Sequence, residues 1–353
     1  MPSFFSMEET MKQHSFGPGP LLDKSGNLCE PGYAMSLLKT YDRSAIKAGK
    51  LRIKEWDYYL ITNDRWGVAL TIDDNGYMGL LSASVLDFEA CTETTVSPMF
   101  WLPMGKTGFP SSSAEGDVQK TLKNASGSFE HTPEGRRLRF RIDRFRDGKP
   151  FECDILLTEE PQDSMTIATP FEKKGHFYYN QKIIGMRAGG WFAVGDDRTE
   201  LDPQRTFGLL DWGRGVWTYK NTWYWSAAQG EVDEHRFGFN LGYGFGDTSA
   251  ASENTLFFDG KAHKLGRVDF GISKKPDGSD DLLSPWHFTD DEGRLDLAFT
   301  PILDRASKTD VLVICSDQHQ VFGRFTGSAV LDDGTTVRIG DFLGFAEKVF
   351  NKW

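Results

Sequence analysis

The chain is a succession of short runs rich in β-branched and aromatic residues, each closed by turn formers, and that rhythm restricts it to an all-β fold. The first runs are Leu51 to Ile61, Trp66 to Ile72, Tyr77 to Phe88, Thr92 to Phe100, Val118 to Leu122, Gly127 to His131, Arg137 to Phe145 and Phe151 to Leu157. Between them stand turn clusters such as Asp73-Asp74-Asn75-Gly76 and Asp147-Gly148-Lys149, whose residues tolerate tight backbone bends. A meander of about eight such strands can close into a barrel that holds side chains or one small ligand. A second series follows, including Phe177 to Met186, Trp191 to Val194, Thr206 to Asp211, Thr222 to Ala228, Arg236 to Leu241, Leu295 to Thr300, Val311 to Cys315, Val321 to Val330 and Thr335 to Ile339. Helical spacing is confined to Ala34–Lys47 and to Phe342–Phe350, whose LGFAEKVF could cap a barrel end.

A length of 353 residues favours roughly two domains. The loop Glu159 to Ser164 divides them, giving an N-terminal barrel with a polar leader over 1–164 and a C-terminal barrel over 165–353. Two antiparallel β-barrels in tandem is therefore the expected architecture.

Charge narrows the partners. Acidic side chains outnumber basic ones 51 to 40, a formal net charge of -11, which opposes attraction to nucleic acid phosphates. No apolar run approaches the ~20 residues that span a bilayer, and MPSFFSMEETMKQHSF lacks the basic start and apolar stretch of a signal peptide. A cytoplasmic protein is expected. The cysteines Cys29, Cys91, Cys153 and Cys315 are far apart and the histidines scattered, so reduced thiols are expected and no metal or cofactor is indicated. Asn240 with Gly242, Gly244 and Gly246 lacks the strand-then-helix setting of a dinucleotide loop.

The densest chemistry lies in FGLLDWGRGVWTYKNTWYWSAAQ, Phe207 to Gln229, which holds four of the ten tryptophans with one aspartate and one arginine. Strand alternation puts Phe207, Leu209 and Asp211 on one face, a carboxylate among apolar side chains. Such a group pays desolvation when ionised and could donate a proton near neutral pH; the alternative is a turn aspartate before Gly213. Arg214 could hold a ligand's polar group, pair with Asp211 and so favour its ionised form, or sit at the surface in a turn. The tryptophans Trp217, Trp223 and Trp225, with Gln229 at the end of their wall, suit either a cavity for a hydrophobic small molecule or plain core.

Three further groups stand out. In FYYNQK, alternation brings Tyr178, Asn180 and Lys182 together, either around one substrate oxygen or on a solvated edge strand. Glu55 and Asp57 share the face of Ile53, Tyr59 and Ile61, where a structural ion pair outweighs a ligand-orienting acid. Arg136, Arg137, Arg139, Arg141, Arg144 and Arg146 form a basic ribbon, a solvated strand face in preference to a transient contact with anionic lipid headgroups or a partner.

The strings RIKEWDYYLI, FYYNQKIIGM and LLDWGRGVW resemble a bacterial family catalogued as a domain of unknown function, over nearly the whole chain. More distantly, Asp211 followed by glycine and then a Trp-x-Trp pair is similar to the central motif of the hydroxyneurosporene synthase group of carotenoid hydratases. That wider group also resembles tocopherol cyclase-like and Diels-Alderase-like proteins. The resemblance implies two lipocalin-like barrels with the ligand near their junction, and Asp211 as the acid that protonates an isoprenoid double bond so that water adds to the cation. Leu209 stands where that group has tyrosine, and its His-x-Trp pair has no counterpart near Tyr179-Asn180-Gln181-Lys182. The readings that follow are an acid-catalysed hydratase, isomerase or cyclase, a non-catalytic lipid or isoprenoid carrier, or a scaffold with a tryptophan-rich core.

Overall fold

A computed structural model describes residues 11–311 and 314–352. Part of the leader, and part of the run Val311 to Cys315, lie outside the described residues.

The described residues form an almost wholly antiparallel β structure, as the turn rhythm requires, in two large curled sheets. The first runs, in hydrogen-bonded order, through Thr92–Val96, Met78–Asp87, Trp66–Asp74, Ile53–Thr62, Phe207–Val216, Phe177–Val194, Lys149–Thr158, Gly135–Arg146, Ala125–Thr132 and Val118–Thr121. Its ends curl towards each other, and Arg146 Nε donates to Thr94 Oγ1 at 3.0 Å. The second runs through Lys261–Lys264, Thr255–Phe258, His235–Tyr243, Lys220–Val232, Thr336–Lys352, Ile314–Val330, Leu295–Val311, Trp286–Asp290 and Val268–Asp269. Its curl brings the Tyr243 ring edge-on to Phe270 at 5.1 Å. These are the two tandem lipocalin-like barrels expected.

The loop at 159–164 does not separate the sheets. Met165–Pro170, Phe177–Val194 and Phe207–Val216 all hydrogen-bond within the first sheet, and the second begins at Lys220. A turn signal marks where one strand stops, not which sheet the next strand joins. The two helical expectations fail. Ala34–Lys47 contains the short strand Lys39–Thr40 and one 3-10 turn, Arg43–Ala45. The tail lies in the strand Thr336–Lys352, paired on both sides, by Lys220–Val232 and Ile314–Val330.

Alternation explains why the described residues form three apolar cores. One fills the first barrel around Leu70, Leu138, Phe151 and Trp212; one fills the second around Phe239, Phe288, Phe299 and Phe325. The third lies where the barrels meet and includes Tyr58, Leu60, Tyr178, Leu209, Trp225, Phe322 and Phe345. A strand shared by two cores is buried on both faces, and every residue of Phe207–Val216 is buried. Leu210, Trp212 and Val216 face the first barrel's interior, while Leu209 faces the seam.

Candidate functional site

Strand pairing sets a polar row into that seam. Lys182 lies opposite Asp211, and Asp211 opposite Tyr58. In the second sheet Trp225 lies opposite Glu347, and Glu347 opposite Gln320. The two rows meet: Lys182 Nζ sits 3.8 Å above the Trp225 ring, and the Tyr58 hydroxyl is 3.5 Å from the Gln320 amide.

Asp211 is 7% exposed and takes three donors from the protein. Lys182 Nζ is 2.8 Å and Asn180 Nδ2 2.6 Å from Oδ1, and Trp56 Nε1 is 3.2 Å from Oδ2. The Asp211 carboxylate thus accepts on both oxygens, one of them from a cation. The Trp56 indole can reach Asp211 because the residue beneath it is Gly213, where a Cβ would stand 1.9 Å from the ring. Trp56 in turn stacks on Tyr178 at 6.1 Å and meets Trp217 edge-on at 5.3 Å.

The aromatic wall continues into the second barrel. Trp217 and Trp223 meet at 5.9 Å, and both pack against Phe245. Trp223 Nε1 donates to Glu347 Oε1 at 2.9 Å, and Trp225 Nε1 to Asn240 Oδ1 at 2.8 Å. Asn240 Nδ2 donates onward to Glu253 Oε2 at 3.1 Å. Burial raises the Glu253 carboxyl above its usual range, against the pull of Lys182 and the Asn240 hydrogen bond. Burial pushes Glu347 up to about 7, opposed by the Trp223 hydrogen bond and by the charges of Arg305 and Lys182. Tyr178 is raised well above the phenol range, by burial first and then by Glu253, Asp211 and Glu347.

Of the residues singled out in the sequence, Asp211, Tyr178, Asn180, Lys182, Trp217, Trp223 and Trp225 thus gather at the seam. Others point elsewhere. Arg214 lies on the opposite face of its strand, fully buried, donating to Asp57 Oδ1 at 3.0 Å and to the Trp56 and Gly213 carbonyls at 2.8 and 2.9 Å. It does not pair with Asp211, because alternation separates positions 211 and 214. Asp57 is therefore Arg214's partner, and Glu55 accepts from Tyr41 at 2.8 Å and pairs with Arg43. Burial raises both carboxyls and Arg214 pulls both down, as in a structural ion-pair cluster inside the first barrel. Gln229 spends its amide on backbone, donating to the Leu60 and Phe207 carbonyls at 3.1 and 3.2 Å and accepting from Gly185 at 3.1 Å. In the basic ribbon, Arg136 pairs with Glu160, Arg137 with Asp154, Arg139 with Glu130 and Arg141 with Glu152.

Glu347, Gln320, Asn240, Glu253 and Trp56 were not legible as site residues. One signal was available: Leu343, Phe345 and Glu347 share a strand face, a carboxylate on an apolar face like Asp211, hidden by the helical reading of the tail. An open depression of about 700 Å³ lined by Arg137, Asp154, Gly190 and Trp191 lies on the first sheet away from these residues. Among the described residues no group of three His, Cys, Asp or Glu could hold a metal ion, and no helix is long and apolar enough to cross a membrane.

Comparison with known proteins supplies a family and a fold. Residues 12–353 match the sequence profile of a family described as "Domain of unknown function (DUF2804)". No curated protein matches. The crystal structure of a putative AttH from Nitrosomonas europaea is similar with a TM-score of 0.51 at 11% identity, over 88% of this chain and 96% of that one. Kievitone hydratase from Nectria haematococca has a TM-score of 0.49 at 12% identity, over 89% and 96%; CghA has 0.45 at 10%, over 94% and 97%. At such identity the AttH likeness is one of fold alone.

Proposed function

The chain belongs to the DUF2804 family, and from that premise and the seam's geometry we propose that it is an enzyme of proton-driven chemistry, a hydratase, isomerase or cyclase, acting on a hydrophobic isoprenoid- or lipid-like molecule bound where the barrels meet. The observation that carries this reading is the buried Lys182–Asp211 pair, set at 2.8 Å against the face of Trp225. An ion pair in an apolar seam costs desolvation that two packed aliphatic residues would avoid, and a site that must stabilise transient charge is one reason to keep it. Indole faces attract cations. Trp217, Trp223, Trp225 and Tyr178 would wall an apolar substrate, Asn180 and Lys182 would fix the carboxylate, and Asp211 would stabilise positive charge or accept a proton. In this scheme Asp211 acts as an anion and not as the acid, because one of its three donors is the Lys182 ammonium. Arg214, Gln229, Glu55 and Asp57 hold the scaffold.

A second reading, a non-catalytic carrier, draws on one fact: the three donors to Asp211 all come from the protein, so the carboxylate needs no ligand to satisfy it. Mass spectrometry of the lipids that co-purify with the protein would supply candidate ligands. With a ligand in hand, Asp211→Asn separates the readings. Lost turnover with retained binding supports the enzyme; a ligand bound equally by both forms and converted by neither supports the carrier.

A further inference from the structure

We propose that Glu347, reaching the seam from the second barrel, is the proton donor of this site, with Asp211 as its anionic counterpart in the first barrel. The inference rests on the acid–base reading above and assigns the proton within it. Glu347 occupies the middle of the second sheet's row, between Trp225 and Gln320. Its Oε1 accepts from Trp223 Nε1 at 2.9 Å and its Oε2 from Gln320 Nε2 at 3.2 Å, both neutral donors. Among the described residues no lysine or arginine reaches ion-pair distance of Glu347. Lys182 is engaged by Asp211 at 2.8 Å, and Arg305 donates to Ser84 Oγ at 3.1 Å.

The two carboxyls therefore sit in opposite surroundings within one seam, the arrangement that divides acid from base among like groups. The charged and titratable groups facing Glu347 are Arg305 from its own sheet and Lys182, Asp211, Tyr58 and Tyr178 from the other barrel. Burial outweighs the cations and holds the Glu347 carboxyl at about 7, where a group can both carry and release a proton near neutral pH. The Tyr58 phenol, pushed up to about 12 by burial, remains neutral beside it. Glu253 is the other raised carboxyl nearby, but it is bonded behind Trp225 through Asn240.

The proton step balances without an outside reagent other than water. The Glu347 O–H bond breaks as its proton joins one carbon of a substrate double bond, whose π pair forms the new C–H bond. The neighbouring carbon is left cationic between the indoles and Asp211. In hydration, water oxygen adds there and its proton returns to the Glu347 carboxylate. In isomerisation, an adjacent C–H gives up the proton instead. Either route regenerates the acid.

Infrared difference spectroscopy of the substrate-free protein tests the assignment, because a protonated carboxyl has its own C=O stretch. At about pH 6 the wild type should carry a component that fades by about pH 8, is missing from Glu347→Gln and persists in Asp211→Asn, over a signal from Asp73, which burial raises to about 7 in every form. Identical spectra of wild type and Glu347→Gln at about pH 6 would overturn the proposal. So would a component lost in Asp211→Asn and kept in Glu347→Gln, which moves the proton to Asp211. Neither result touches the enzymatic reading, which stands or falls on turnover by Asp211→Asn. Circular dichroism of each variant separates a lost carboxyl from a lost fold.

Discussion

The Trp56 indole lies flat over Gly213, so close that a Cβ at position 213 would stand 1.9 Å from the ring. This contact aims Trp56 Nε1 at Asp211 and joins a seam aromatic to the central carboxylate. Gly213→Ala should displace the indole, break that hydrogen bond and cost roughly 1–3 kcal/mol, the range of overpacked cores. Urea denaturation measures it. The same change placed in a Trp56→Ala background should cost much less, since the ring it strikes is gone.

Lys182 and Asp211 should be strongly coupled. Their side chains are 3% and 10% exposed, so removing one partner leaves a buried charge unpaired. Lys182→Met alone should cost roughly 3–5 kcal/mol, and Asp211→Asn in that background should restore much of it. A double-mutant cycle in urea reads the coupling directly. Additive effects would mean that solvent or another group compensates each charge.

How far the sequence reveals this site depends on which interactions are local. Alternation placed Tyr178, Asn180 and Lys182 on one face, and pairing set that face beside Asp211. Alternation should also have separated Asp211 from Arg214, three positions apart, but the DWGRG string read equally as a turn. The strand Leu295–Val311 extends well past the run ending at Thr300 by pairing with Ile314–Val330, but Pro301 interrupts the run and the far end, DRASKTDV, is polar and gives no apolar signal. Glu347 eluded the reading for two reasons. LGFAEKVF carries apolar residues at helical spacing because Leu343 to Ala346 are buried on both faces of their strand, and which residue of one barrel faces which of the other is fixed by packing that no local pattern encodes.

Glu347 should leave a signature in the pH dependence of stability. Its carboxyl is raised to about 7 in the folded state, above the ordinary glutamate value of 4.5. Between those values the folded state binds the proton more tightly than the unfolded chain, so the contribution is fully present below 4.5 and is lost as pH rises through about 7. Glu347→Gln, which copies the protonated form, should match wild type near the acid end of that window. Above it the variant should be the more stable, by on the order of 2 kcal/mol. Denaturation midpoints of the two proteins across this range give the difference, in which every other titrating group cancels. A constant difference would place the titration elsewhere.

Gln229 provides the last test, because its side chain serves the fold at a point where the first sheet is irregular. The register between Phe177–Val194 and Phe207–Val216 shifts between Ile183 and Met186, and Gly185 adopts φ +87 there. A bulge leaves a backbone N–H without its ladder partner; here Gln229 Oε1, from the second sheet, accepts it at 3.1 Å. The same amide donates to two carbonyls of the first sheet, of Leu60 and Phe207, so one side chain ties the barrels across the seam. Gln229→Leu fits an apolar seam sterically but strands those groups, which should cost about 1–3 kcal/mol. Hydrogen exchange should quicken at the Gly185 amide while amides deep in either barrel, such as that of Leu138 or Phe288, keep their protection relative to global stability. If Gln229 instead addressed a ligand, the variant would retain its Gly185 protection and lose affinity for the co-purifying lipid, and the clamp would have to be abandoned.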